Sequence, residues 1–135
     1  MGIVLTAGLL LGFGLAGAAR PHPTEYFTGI ASFYGDDYSG QTANGDQYDP
    51  MQFTAAHATL PFGTLLRVSD PCNERSVTVV VNDRGPFVDG RVLDVSKAAA
   101  EALGMVDSGI LPVTAVVEQV RPIHLRALIA GGTSR

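Results

Sequence analysis

The chain has 135 residues, 46% of them hydrophobic and 16% charged, which fits one folded domain and excludes a disordered chain. A formal charge of -4 excludes the basic stripe of a nucleic-acid binder, so no nucleic-acid partner is expected. With one cysteine, Cys72, and three histidines without ligand spacing, the sequence offers no internal disulfide, no CxxC site and no metal set, and no cofactor or metal is expected.

The sequence opens on "MGIVLTAGLLLGFGLAGAARPHP". The apolar run from Ile3 to Leu15 has the length of a secretory core, and Ala16-Gly17-Ala18 has the small-x-small pattern of a signal-peptidase site, although no Lys or Arg precedes the run. Its glycines weigh against a buried helix. Residues 1–18 are therefore expected to be an export signal, residues 27–121 a folded domain and residues 122–135 a loose tail.

Within the domain, Thr28 to Tyr34 alternates and is rich in strand formers. The polar stretch that follows, with Asn44-Gly45 and Asp49-Pro50 as turn signals, predicts a long loop that lines a site. "MQFTAAHATLPFGT" predicts a short helical turn that ends at Leu60-Pro61. "LLRVSD" and "SVTVVVN" predict two strands joined by the Asp70 to Arg75 loop, which carries Cys72. "RVLDV" and Val113 to Val120 predict two more. Between them Ser96 is an N-cap for "KAAAEALGM", and Gly104 stops that helix. Many short strands with one helix predict a small closed β barrel, which leaves no strand edge exposed.

The segment "VVVNDRGPFVDG", Val79 to Gly90, raises the question of function. A β-branched run delivers Asp83 and Arg84 at its end and then turns at once through Gly85-Pro86. One reading is a structural carboxylate that bonds the turn or pairs with Arg91. The other is an acid held rigidly at the lip of a groove, partly desolvated by its apolar neighbours as a proton donor requires. Strand alternation points Arg84 away from Asp83. His57, in "AAHATLPFG", is either a half-buried core imidazole or a functional one. Tyr34, Tyr38 and Phe33 offer faces for sugar rings, with a core role equally open for Phe33. Asp94 reads as structural, bracing the turn or capping the helix.

The strings "GIASFYG", "TANGDQYD", "FTAAHATLPFGTLLRV", "VVVNDRGPFVDGRVLDVSKAAAEALGM" and "VTAVVEQV" resemble, in order and spacing, the rare lipoprotein A (RlpA) family. The resemblance covers Thr28 to Val120. It implies a mainly β fold, a six-stranded double-psi β-barrel with one or two short helices, related to barwin and expansins. It also implies a lytic transglycosylase that cleaves the MurNAc-β-1,4-GlcNAc bond of peptidoglycan and leaves a 1,6-anhydro end. Asp83 falls on the family's catalytic acid and His57 on its active-site histidine. Asp46 stands where relatives usually carry glutamate, and Phe33 where they carry tryptophan. With Asn44, Tyr34 and Arg84 these form the expected substrate-binding set.

Ala18 stands where a lipoprotein signal carries its modified cysteine, so an exported, unlipidated, monomeric protein of the periplasm or cell envelope is expected. The SPOR repeat of some relatives is not expected here. Peptidoglycan strands are the expected partner, and cell-division proteins are further candidates. A lytic transglycosylase needs one carboxyl group, because the sugar's own C6 hydroxyl replaces water. Two alternatives are an expansin-like module that binds without cutting, and a hydrolase with a second carboxylate from Asp36, Asp37 or Asp46.

Overall fold

The computed structural model describes residues 25–120. The expected leader and tail lie outside the described residues. Six strands, β1 (Tyr26–Phe33), β2 (Thr54–Ala56), β3 (Leu65–Ser69), β4 (Ser76–Asp83), β5 (Arg91–Val95) and β6 (Ile110–Gln119), close into a barrel in the order β1-β5-β2-β4-β3-β6. The pairs β1/β5 and β2/β4 are parallel, and the other four pairs are antiparallel. The single helix among the described residues, α1 (Lys97–Leu103), packs on β4 and β1. This is the closed six-stranded barrel that the resemblance implies, and its pairing is mixed.

One element differs. The stretch expected to form a helical turn contains β2, and its three residues are all buried. Thr54 and Ala55 pair with Val80 and Val81 of β4, while Ala55 and Ala56 pair with Val95 and Asp94 of β5. Alanines suit a helix in isolation, but here their small side chains let a strand fit between two neighbours, and tertiary context overrides propensity. The last strand also begins three residues before its expected start, at Ile110, with Pro112 inside it.

The helix ends as its sequence indicates. The Ser96 side chain accepts from the Ala99 N–H, and Gly104, at φ 70°, supplies the left-handed closing residue. Ala99, Ala100 and Leu103 are buried against a core of Leu66, Val68, Val79, Val81, Leu93 and Val95.

The alternation of β4 sends Val79 and Val81 inward. Continued unbroken, it would drive Asp83 into the same apolar interior, since side chains two apart share a face. A bulge prevents this: Ala55 pairs with Val81 but Ala56 with Asp83, so Asn82 is an extra residue on β4. One inserted residue re-aims everything after it. Asp83 therefore lies on the outer face, in register with Ala56, which pairs on its other side with Asp94; Asp94 in turn pairs with Ser32 of β1. The row Asp83–Ala56–Asp94–Ser32 crosses four strands on the outside of the barrel.

Candidate active site

Asp83 is half-buried at the end of β4, and both its carboxyl oxygens are held. Oδ1 accepts the Ala43 N–H at 2.8 Å and the Arg84 N–H at 2.8 Å. Oδ2 accepts the Tyr34 hydroxyl at 2.6 Å. The carboxylate is not locked on a guanidinium. Gly85, at φ 117°, then turns the chain in a backbone region that disfavours any side chain.

Tyr34 follows β1 and points outward, like Ser32 two residues before it. Burial first, then the hydrogen bond and charge of Asp83, push its phenol far above the ordinary value of 10.0, so it remains a proton-bearing donor. Its ring lies 5.0 Å from that of Tyr38 and 4.7 Å from that of Tyr48, centre to centre. The sequence suggested Tyr34 as a sugar-packing face; in the structure its hydroxyl is bonded to the Asp83 carboxylate.

His57 lies one residue beyond β2, where its backbone N–H donates to the Asp83 carbonyl at 3.2 Å. Its side chain turns elsewhere. Nδ1 accepts the Thr59 and Leu60 N–H groups at 3.1 and 3.0 Å, which puts the ring proton on Nε2. The ring lies 5.0 Å from that of Phe27. Burial, with Arg84 as a smaller cause, holds the imidazole below its ordinary value of 6.5 and outweighs the opposing charge of Glu25. No hydrogen bond joins the imidazole to the Asp83 carboxylate.

Arg84 is expected from the sequence to meet substrate, yet its Nη1 donates to the carbonyls of Leu60 at 2.8 Å and His57 at 3.3 Å. The guanidinium also lies 4.0 Å from the Phe62 ring centre. It braces the 57–62 loop. As strand geometry requires, it faces away from the Asp83 carboxylate.

The loop that carries Asn44 and Asp46 is braced within itself. Asn44 Oδ1 accepts from the Thr42 hydroxyl and the Asp46 N–H, and Asn44 Nδ2 donates to Asp46 Oδ2 at 2.8 Å. The Asn44 N–H reaches the Asn82 carbonyl at 3.2 Å, which docks the loop on the bulge. Both side chains thus hold the turn that aims the Ala43 N–H at Asp83. Phe33 is a core aromatic: it pairs with Val95 and packs against the buried cluster. That is one of the two readings open for it in the sequence.

Of the two structural parts expected for Asp94, the helix cap belongs to Ser96, and Asp94 accepts the Ser32 hydroxyl on the outer row. The signal for Ser32, Tyr34 and Asp94 was alternation itself, which puts each of them opposite a core residue. The Ala43 amide carries no side-chain signal at all. Of the carboxylates considered for a hydrolase, Asp36 is ion-paired with Lys97. Among the described residues no three or more His, Cys, Asp or Glu side chains gather as metal ligands, and no helix is long and apolar enough to cross a membrane.

The sequence profile of the lytic transglycolase family matches residues 26–115. A probable endolytic peptidoglycan transglycosylase RlpA of Nostoc sp. is 56% identical over 90 residues, covering 64% of this chain and 24% of that protein. The endolytic peptidoglycan transglycosylase RlpA of Campylobacter jejuni is 52% identical over 66% of this chain and 33% of its own length. That of Neisseria meningitidis serogroup A is 50% identical over 70% and 39%. The chain thus spans about a quarter to two-fifths of these relatives. Among solved structures, the Streptomyces papain inhibitor superposes with a TM-score of 0.57 at 28% identity, over 70% of this chain and 96% of that one. An expansin of Clavibacter michiganensis superposes with a TM-score of 0.58 at 24% identity, over 73% and 52%, a likeness of fold alone. With two-thirds of its length matched by the family profile and a six-stranded double-psi barrel in common, the chain belongs to the RlpA-type lytic transglycolase family.

Proposed function

We propose that this chain is the cutting domain of a peptidoglycan lytic transglycosylase, exported to the cell envelope, that breaks the MurNAc-β-1,4-GlcNAc bond and leaves a 1,6-anhydro-MurNAc end. The names of the RlpA relatives support the reaction and the substrate. One observation in this chain carries it: a carboxyl group displaced by a bulge from the barrel interior to its outer face, held by neutral donors and in no ion pair among the described residues.

In this reading Asp83 begins as the acid. Oδ1 already accepts two N–H groups and Oδ2 only one O–H, so Oδ2 keeps the capacity to carry the proton. It protonates the departing glycosidic oxygen as the bond from C1 breaks. The C6 hydroxyl of the same muramic acid then forms the new bond to C1, and its proton goes to the Asp83 carboxylate, which restores the acid. Atoms balance without water. Tyr34 and the Ala43 amide fix the carboxylate through the cycle, because proton transfer needs heavy atoms about 3 Å apart. His57, neutral with Nε2–H as donor, is assigned to a sugar hydroxyl, and the loop of Asn44 and Asp46 forms one wall of the groove.

Digestion of peptidoglycan in water enriched in oxygen-18 tests this reading. Transglycosylation leaves every new end unlabelled, whereas one heavy oxygen per cut identifies a hydrolase. An absence of cuts would leave a wall-binding module.

A further inference from the structure

On the far side of the Tyr34 ring, the loop after β1 and the start of α1 border a half-open cavity of about 190 Å³ lined by Gly35, Asp36, Tyr38, Tyr48, Pro50 and Lys97. None of these residues belongs to the proton-transfer set. The cavity is nevertheless coupled to it, because the Tyr34 ring that touches Tyr38 and Tyr48 carries the hydroxyl bound to Asp83. A single tyrosine ring separates the two places. The volume is below the roughly 300–1,000 Å³ of clefts that enclose drug-sized ligands, and suits one ring or one branch of a polymer.

The lining has two parts. Tyr38 and Tyr48 meet edge to face at 5.3 Å, and Tyr38 is 39% exposed, so an aromatic surface is open to the apolar face of a sugar. Tyr48 is buried, and its hydroxyl accepts the Lys97 N–H at 3.2 Å, which fixes the residue that supplies the charge. The Lys97 ammonium pairs with Asp36, whose side chain is 76% exposed against 35% for Lys97. A partner so open to water is held weakly and exchanges readily for another carboxylate.

We propose that this cavity is a subsite for the acidic sugar of the glycan strand, where Lys97 pairs with a carboxylate borne on that sugar and Asp36 holds its place in the free protein. The inference rests on the peptidoglycan reading above. In such a strand every muramic acid carries a lactyl carboxylate, which is either free or extended by a peptide that ends in carboxylates. Both present the same chemistry to Lys97, and the geometry favours neither.

Binding is measured in the Asp83→Asn background, so that ligand is not consumed, by calorimetric titration at low salt. The ligands are bare GlcNAc–MurNAc oligomers, the same oligomers with stem peptides, and neutral GlcNAc oligomers of equal length. At least one acidic ligand should bind roughly three- to tenfold more tightly than the neutral one. Lys97→Gln should erase that difference and leave neutral binding within about twofold, and Lys97→Arg should restore most of it. Whichever acidic ligand depends more on Lys97 identifies the carboxylate source. Asp36→Asn should tighten acidic binding. A preference that survives Lys97→Gln, no preference in the parent, or no binding of any glycan overturns the subsite. If preference and Lys97 dependence hold while the unmodified chain makes no anhydro ends, the subsite stands and the transglycosylase reading fails.

Discussion

The Tyr34 hydroxyl donates to Oδ2 of Asp83 at 2.6 Å, joining the ends of β1 and β4 although β5 and β2 lie between them in the barrel wall. The bond is made only because the bulge at Asn82 turns Asp83 outward, to the side where Tyr34 points. Fold and site meet in that contact.

Removing the hydroxyl as Tyr34→Phe leaves the ring and its contacts with Tyr38 and Tyr48. Steady-state kinetics on peptidoglycan should show kcat lowered about ten- to hundredfold with KM little changed, since orientation of the acid is lost and glycan contacts are not. Stability should fall by only about 1–2 kcal/mol, the worth of one charge-assisted hydrogen bond. Unchanged kcat would show that Tyr34 does not position Asp83.

Much of this arrangement was legible in the sequence, and the remainder has a common cause. The valines of β4, the Ser96 and Gly104 caps and the alternation of β1 are local signals, and the structure follows them. The β2 strand is three small residues whose pairing lies with segments more than 20 residues away. The bulge is likewise a fact about register between two strands, and register does not appear in either strand alone. Asp83 was identifiable as a rigid strand-end acid, while its partners Tyr34 and Ala43 were not, because loop closure brings them in.

His57 gives the fold a pH dependence with a definite sign. Its folded value lies below the ordinary 6.5, so the unfolded chain binds a proton more readily than the folded one. The contribution is fully present above pH 6.5 and is lost as pH falls through the depressed folded value. Protonating Nδ1 would also set it against the Thr59 and Leu60 N–H donors. Thermal melts from pH 7.5 to 5 should show Tm falling on acidification, with a shallower slope in His57→Gln. Equal slopes would remove this role.

Arg84 is expected to matter for stability more than for chemistry. Arg84→Met removes two carbonyl contacts and the stack on Phe62, and should cost roughly 1–3 kcal/mol in urea denaturation. Arg84→Lys should recover only part, because an ammonium lacks the planar fork and stacking face of guanidinium. Full stability in Arg84→Met would argue that the guanidinium is free for substrate.

Gly29 of β1 lies directly against the Val92 side chain of β5. A Cβ there would overlap both methyl groups of Val92. Gly29→Ala should destabilise the barrel by about 1–3 kcal/mol, and adding Val92→Ala should return part of the loss as a coupling energy in a double-mutant cycle. Additive effects would place the strain elsewhere.

The most direct test of the central claim is mass spectrometry of peptidoglycan incubated with the unmodified chain and with Asp83→Asn, each confirmed as folded by circular dichroism. The unmodified chain should release fragments with 1,6-anhydro ends, and Asp83→Asn should release none. Anhydro ends from the Asp83→Asn variant would contradict the assignment of this carboxyl group as the acid and base.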